Sequence, residues 1–132
     1  MRPILNVLMF GILSLSLAGC ASKSKSLLPV HDEVLVYPLP LDLTYLRTVE
    51  AVNAHPDWEV DYTDKEKGLI VLRNMRYSSF ADADLRTAVL VVKQVGPRET
   101  SVQLDSKSQA VRGGDEILDL IKQYLSREVG SV

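Results

Sequence analysis

Cysteine and histidine are scarce in this 132-residue chain, which has one cysteine and two histidines. A single thiol cannot form a disulfide within the chain, so a disulfide-stabilised scaffold is excluded. Zinc sites need three or four Cys, His or acidic ligands at regular spacing, and the sequence offers no such set. We therefore predict no bound metal and no other cofactor.

Positive charge is also in short supply. Lys and Arg number 15 against 17 Asp and Glu, and without residues 1–19, which hold one arginine, the net charge is −3. Nucleic-acid binding requires several Lys and Arg on one surface to neutralise phosphates. Nucleic acid is therefore excluded as the expected partner. The apolar content of 46% is that of a globular protein, and the length suits one domain.

Motifs for catalysis are missing as well. The chain has no Gly-x-Ser-x-Gly, and no Ser-x-x-Lys at the start of a helix that follows a strand. His31 lies in a predicted tether and His55 at a predicted helix end, where an imidazole suits the helix dipole. Asp82 and Asp84 lack the ligand density of a calcium loop, and an enzyme would need a cleft that joins them to a serine and a histidine. We predict that the protein is not an enzyme.

The strongest positive signal lies at the N terminus. Arg2 is followed by an uncharged stretch over residues 4–19, and small residues precede Cys20. This is the three-part pattern of a secretory signal. As a helix the stretch is about 24 Å long, shorter than the ~30 Å hydrocarbon core of a bilayer. We predict a signal peptide over residues 1–19.

The run Leu17-Ala18-Gly19-Cys20 resembles the lipobox of bacterial lipoproteins. The resemblance implies cleavage between Gly19 and Cys20, lipidation of the Cys20 thiol, and acylation of the new amino terminus with fatty acids such as palmitate. One acyl chain attaches a protein marginally, whereas several chains anchor it stably. Ala21, where an Asp would signal retention, implies sorting to the outer membrane, facing the periplasm, in bacteria with two membranes. The alternative is an ordinary or uncleaved signal with an incidental cysteine.

The rest of the chain divides into a tether and one domain. Residues 20–32 comprise Cys20 and a Ser- and Lys-rich segment, predicted to be flexible with a reach of about 20 Å. Residues 33–129 carry the patterns of a folded domain. We expect strands over 33–39, 58–62, 69–77, 85–95 and 100–104, a helix from an Asp42 N-cap to Ala54, and a final helix opened by Gly113-Gly114-Asp115.

The resulting order, β-α-β-β-β-β-α, predicts an α+β fold in two layers, an antiparallel sheet with two helices packed on one face. Apolar residues at helical or alternating spacing mark the expected core positions. They are Leu43, Leu46, Val49 and Val52 in the first helix, Trp58, Val60 and Tyr62 in the second strand, and Ile117, Leu118, Ile121, Tyr124 and Leu125 in the last helix.

The segment Trp58–Arg73 (WEVDYTDKEKGLIVLR), taken with the element order, resembles the helix-grip domains of bacterial envelope lipoproteins. One such lipoprotein is the C subunit of the outer-membrane β-barrel assembly machine. These domains have a helix, a strand and an acidic turn with Lys and Gly before a β-rich run, and Asp64–Gly68 occupies that turn here. The resemblance implies a helix-grip-like fold over most of the chain after the tether. This chain has one such domain and a short tether, whereas that subunit has two domains and a long unstructured arm.

These observations predict a non-enzymatic envelope lipoprotein that docks another envelope protein, as an assembly or accessory subunit. Its expected partners are membrane lipid, through acylated Cys20, and that envelope protein. The candidate partner surface consists of residues near strand ends and edges, namely Tyr37, Met75, Tyr77 and Phe80. The alternative is a binding module for lipid, glycan or peptidoglycan, which would use the groove between the helices and the sheet.

Overall fold

In the part of the chain that the structure describes, seven helices and strands follow one another in the predicted order. The structure, a computed structural model, describes residues 30–76 and 86–130. The elements are β1 (Leu35–Tyr37), α1 (Leu41–Asn53), β2 (Trp58–Asp64), β3 (Leu69–Asn74), β4 (Thr87–Gly96), β5 (Glu99–Leu104) and α2 (Gly114–Gly130). The α+β class and the order β-α-β-β-β-β-α are therefore confirmed. Neither of these two helices has the length and hydropathy that crossing a membrane requires.

The five strands form one antiparallel sheet in the order β1-β5-β4-β3-β2. β1 pairs with β5, and α1 then carries the chain over to β2 at the other edge. Neighbouring strands are about 4.8 Å apart, so the two edges of the sheet are separated by roughly 19 Å. The segment that precedes β1 therefore joins the sheet at the edge opposite β2.

The hydrophobic core lies between the two helices and one face of the sheet. Its strand residues alternate with outward residues, and α2 contributes the stripe expected from its 3.6-residue period. The side chains with at most 1% exposure include Ile70, Leu72, Leu90, Val102, Leu104, Ile117, Ile121 and Leu125. The predicted stripe of α2 is confirmed for its Ile and Leu positions, and Tyr124 packs half-buried against the cluster.

A β-bulge in β2 overturns the predicted core position of Tyr62. Trp58 is buried as expected, but the register between β2 and β3 shifts between Val60 and Tyr62. An extra residue at a bulge exchanges the two faces for every later residue of the strand. Tyr62 consequently points away from the helices and is 57% exposed.

The start of α1 also differs from the expectation, because Asp42 is not the N-cap. The N-cap is Pro40, whose backbone is extended and which has no side-chain cap bond. The Pro40 carbonyl accepts the first helical bond from the Thr44 N–H at 3.0 Å. Asp42 lies in the first turn instead, where a carboxylate is favoured by the positive end of the helix dipole.

Candidate functional site

Helix α1 has two apolar faces, and the inner one is not the stripe predicted from the sequence. Its buried residues are Thr44, Tyr45, Thr48, Ala51 and Val52. Of the predicted stripe, Leu43, Leu46, Val49 and Val52, only Val52 is fully buried. Leu43 and Val49 are half-buried and pack against the border of the core, whereas Leu46 is 52% exposed. The prediction is therefore wrong for Leu46.

Two threonines occupy the inner face because their hydroxyls are satisfied within the helix. The Thr44 hydroxyl donates to the Pro40 carbonyl at 2.9 Å, and the Thr48 hydroxyl donates to the Thr44 carbonyl at 2.7 Å. A hydroxyl bonded to the carbonyl one turn earlier buries its methyl group without leaving a polar atom unpaired. Leu46 is left on the outer flank, with half-buried Leu43 and Val49 at the border of the core.

The outer flank of α1 forms one wall of a groove of about 570 Å³. The other wall is the end of β2 and the turn that follows it. The lining residues are Asp42, Leu43, Tyr45, Leu46, Val49, Thr63 and Lys65. The groove is therefore mainly apolar in its middle and carries one charge of each sign. Its volume is in the range of protein sites that hold a ligand or a partner side chain.

Polar contacts fix the walls of this groove, the α1–β2 groove. The Tyr45 hydroxyl donates to the Leu69 carbonyl at 2.9 Å, which ties α1 to the sheet. Burial raises the pKa of Tyr45 above its ordinary value, so the phenol stays protonated as a donor. Lys65 and Asp42 form an exposed ion pair at 3.1 Å across the rim. An exposed pair contributes little stability, so it can open at little cost.

A further anchor holds the other side of α1 against α2. The guanidinium of Arg47 contacts Glu50 at 2.6 Å on α1 and Glu128 at 2.8 Å on α2. The hydrogen bond with Glu50 and the charge of Glu128 raise the pKa of Arg47. The position of α1 is therefore set from both sides, which makes the groove a preformed feature of the fold.

The structure describes two of the four residues predicted to form a partner surface, Tyr37 and Met75, and these two do not share a surface. Tyr37 is 9% exposed and contributes its ring to the core, while Met75 is 51% exposed just after β3. Met75 follows the end of β3 that pairs with the start of β2, and the α1–β2 groove lies at the end of β2. Tyr77 and Phe80 lie outside the described residues, as do Gly19 and Cys20.

The two histidines have structural surroundings. His31 is half-buried, its N–H donates to the Gln109 carbonyl at 2.8 Å, and its ring packs beside Gly114 at the start of α2. His55 follows the end of α1, and its Nδ1 accepts from the Asp57 N–H at 3.2 Å. Within residues 30–76 and 86–130, no three His, Cys, Asp or Glu side chains gather as metal ligands would. Asp82 and Asp84 fall outside these ranges.

The groove was not predicted from the sequence, because helical periodicity alone does not say which apolar stripe of α1 turns inward. A usable signal is the number of apolar positions in α1, which exceeds what one face can hold. Leu41, Leu43, Tyr45, Leu46, Val49, Ala51 and Val52 all fall within thirteen residues. A helix that is apolar on more than one side has a second surface to cover.

The two-faced helix predicts unequal costs for the same substitution. Leu46→Ala on the outer flank of α1 should change the free energy of unfolding by less than about 0.5 kcal/mol. Leu125→Ala in α2 removes a fully buried side chain and should cost about 2–5 kcal/mol. Urea denaturation of both variants measures the difference, and a cost at position 46 as large as at position 125 would contradict the outward orientation.

Comparison with known proteins adds no further constraint on the site. No protein-family model matches this chain, and no curated protein matches it either.

Proposed function

We propose that this protein is a non-enzymatic lipoprotein of the bacterial cell envelope, anchored through acylated Cys20, whose domain docks another envelope protein in the α1–β2 groove. The single observation that supports the docking role is the apolar groove beside α1, in which Leu46 is 52% exposed between half-buried Leu43 and Val49. Apolar side chains exposed to water are unfavourable, and a partner that covers them removes this cost in free energy. The anchor would confine the search for that partner to one membrane surface.

The position of the groove fits a tethered protein. The predicted tether ends at β1, and the groove borders β2, which lies at the opposite edge of the sheet. Roughly 19 Å of sheet separates the two edges. A domain held at its β1 edge presents its β2 edge away from the attachment point, toward proteins of the surrounding compartment. The attachment point therefore does not block the groove, which stays open to a protein of the surrounding compartment.

The interior between the helices and the sheet is less suited to a ligand. Side chains of both layers meet there, and the residues Ile70, Leu90, Ile117 and Ile121 have no exposed surface. A small lipid or glycan would have to displace them, at a cost of several kcal/mol for each large side chain moved. The alternative role as a lipid, glycan or peptidoglycan module is therefore limited to the open α1–β2 groove.

Site-specific photocrosslinking in intact cells tests the docking role. A photoreactive amino acid replaces Leu46 in the groove or, as the control, Val95 near the β4–β5 turn. These two side chains are 52% and 51% exposed, so accessibility alone predicts equal labelling. We expect a discrete protein adduct from position 46 and none of the same mass from position 95.

A second variant tests whether the adduct depends on the apolar groove. Thr63→Lys places a charge in the groove at an exposed position, so it should abolish the adduct from position 46 and leave the protein folded. Equal labelling from positions 46 and 95, or an adduct that survives Thr63→Lys, would contradict the proposal. Labelling of lipid alone from position 46 would support the alternative role.

A further inference from the structure

We infer that the segment docking at the groove is an extended, basic polypeptide strand that pairs with the free edge of β2. This inference rests on the proposed docking function and adds the conformation and charge of the partner. Its evidence is independent of the anchor, since it comes from the edge strand, its side-chain directions and its acidic residues.

The first observation is the open edge. β2 is the last strand of the sheet, and among the described residues it pairs with β3 alone. In an antiparallel ladder, alternate residues of an edge strand turn their N–H and C=O groups outward, where a further strand can bond to them. The other edge strand, β1, has only three residues and is followed by Pro38 and Pro40, which donate no backbone hydrogen bond. β2, with seven residues, is the better template.

The second observation is that the groove lies where the side chains of an added strand would point. Thr63 pairs with Ile70, which is fully buried, so Thr63 is on the helix-facing side of β2. Thr63 also lines the groove together with Leu46 and Val49 of α1. A strand added beside β2 would direct alternate side chains into that groove and cover the outer flank of α1. Backbone pairing and alternating pockets are the two components of recognition by strand addition.

The third observation is charge. β2 carries three acids, Glu59, Asp61 and Asp64, and no basic residue. Arg73 contacts Asp61 and Lys67 contacts Asp64, both from within the first hairpin, while Glu59 is exposed. Two of the three acids are thus already paired within the hairpin, so the attraction of Lys or Arg on an incoming strand, and the repulsion of Asp or Glu, are centred on exposed Glu59.

The same charges disfavour a second copy of this chain as the occupant. Two β2 edges placed side by side would bring six carboxylates to one seam. Charged residues and a bulge on an edge strand are common devices against self-pairing, and the bulge at Val60/Tyr62 adds to the effect. The same charges that disfavour pairing between two copies of β2 favour a strand of opposite charge, so repulsion makes the edge selective between the two partners.

The test uses the processed full-length protein in a neutral detergent and a synthetic peptide of alternating lysine and valine. Amide hydrogen exchange reports the bound site. We expect slower exchange over β2, Trp58–Asp64, and unchanged exchange over β1. A peptide with its alternate backbone nitrogens methylated should bind roughly thirtyfold more weakly, because it loses the edge hydrogen bonds. A peptide of alternating glutamate and valine should not protect β2.

A matched pair of protein variants tests the charge. Glu59→Lys on β2 should weaken binding of the lysine–valine peptide about three- to tenfold, less in high salt, whereas Glu99→Lys on β5 should not. Protection over α1 without protection over β2, equal binding of the methylated peptide, or equal binding of the acidic peptide would each overturn the inference. If one of these results is obtained while position 46 still gives a protein adduct in cells, the proposed docking role holds and only strand addition to β2 is excluded. Loss of the adduct would instead contradict the docking role itself.

Discussion

Gly68→Ala is expected to lower the free energy of unfolding by about 3–5 kcal/mol, a large share of the ~5–15 kcal/mol typical of a domain this size. Gly68 ends the turn between β2 and β3 with a φ of 68°, where an L-residue with a Cβ is strained by about 1–2 kcal/mol. A Cβ at this position would also lie 2.1 Å from the Val92 carbonyl oxygen of β4. The Val92 N–H donates to the Gly68 carbonyl at 2.7 Å, so the contact cannot relax without breaking that bond.

Two companion variants separate the causes. Gly96→Ala in the β4–β5 hairpin meets only the Glu99 side chain, at 3.5 Å, and should change stability by less than about 1 kcal/mol. Gly68→Asn tolerates the left-handed conformation but carries the same Cβ, so it should remain strongly destabilised. Urea denaturation measures all three variants. Recovery of near-native stability by the asparagine would show that backbone conformation alone matters and that β4 does not approach this closely.

Cys20→Ala is expected to move the protein from the membrane fraction to the soluble fraction. Without the thiol no lipid can be attached at this position, and the several acyl chains that together anchor a protein stably are lost. The substitution also turns Leu17–Cys20 into Leu-Ala-Gly-Ala, whose small residues match an ordinary secretory cleavage site. We therefore expect a released, unlipidated domain whose N terminus begins at Ala21.

Membrane fractionation followed by detergent extraction checks this outcome, with Ser22→Ala as the control. The control changes a neighbouring tether residue and should stay with the membranes until detergent is added. A Cys20→Ala protein that has lost residues 1–19 and still sediments with membranes would show that something other than the thiol anchors the chain.

The class of fold was predictable because each strand and each helix carries its own periodic pattern. The apolar stripe of α2 repeats every three or four residues, and all its Ile and Leu positions are buried as expected. The turn at Asp64–Gly68 has the residue types that a hairpin needs, and Gly68 adopts the left-handed conformation there. β4 is the longest of the described strands, and its Val-rich run predicted a strand there.

The side that each element turns inward was less predictable, and the site depends on it. In α1 the helical period allows two stripes, and burial of the threonine methyl groups requires hydroxyl bonds to Pro40 and Thr44 that are visible only once the helix is built. In β2 one extra residue before Tyr62 exchanges the faces, and a bulge leaves no clear mark in a seven-residue pattern. As a result, Leu46 and Tyr62 are both exposed near the β2 edge of the sheet, Leu46 on the helix side and Tyr62 on the opposite face.

These outward side chains connect the fold to the proposed role. Leu46 enters the groove on the helix side, and Tyr62 stands on the opposite face of the same edge. A strand added to β2 would lie between them and contact both. In the proposed function, the lipid on Cys20 would determine the membrane at which the protein resides, and the β2 edge would determine which partner it binds.

Mass spectrometry of the N-terminal peptide, taken from protein purified out of its native membrane, tests the anchor most directly. We predict a peptide that begins at Cys20, with a diacylglyceryl group on sulfur and a fatty acid on the amino nitrogen. A peptide that carries an unmodified thiol, or that still includes residues 1–19, would contradict the proposal that this domain works from a lipid anchor.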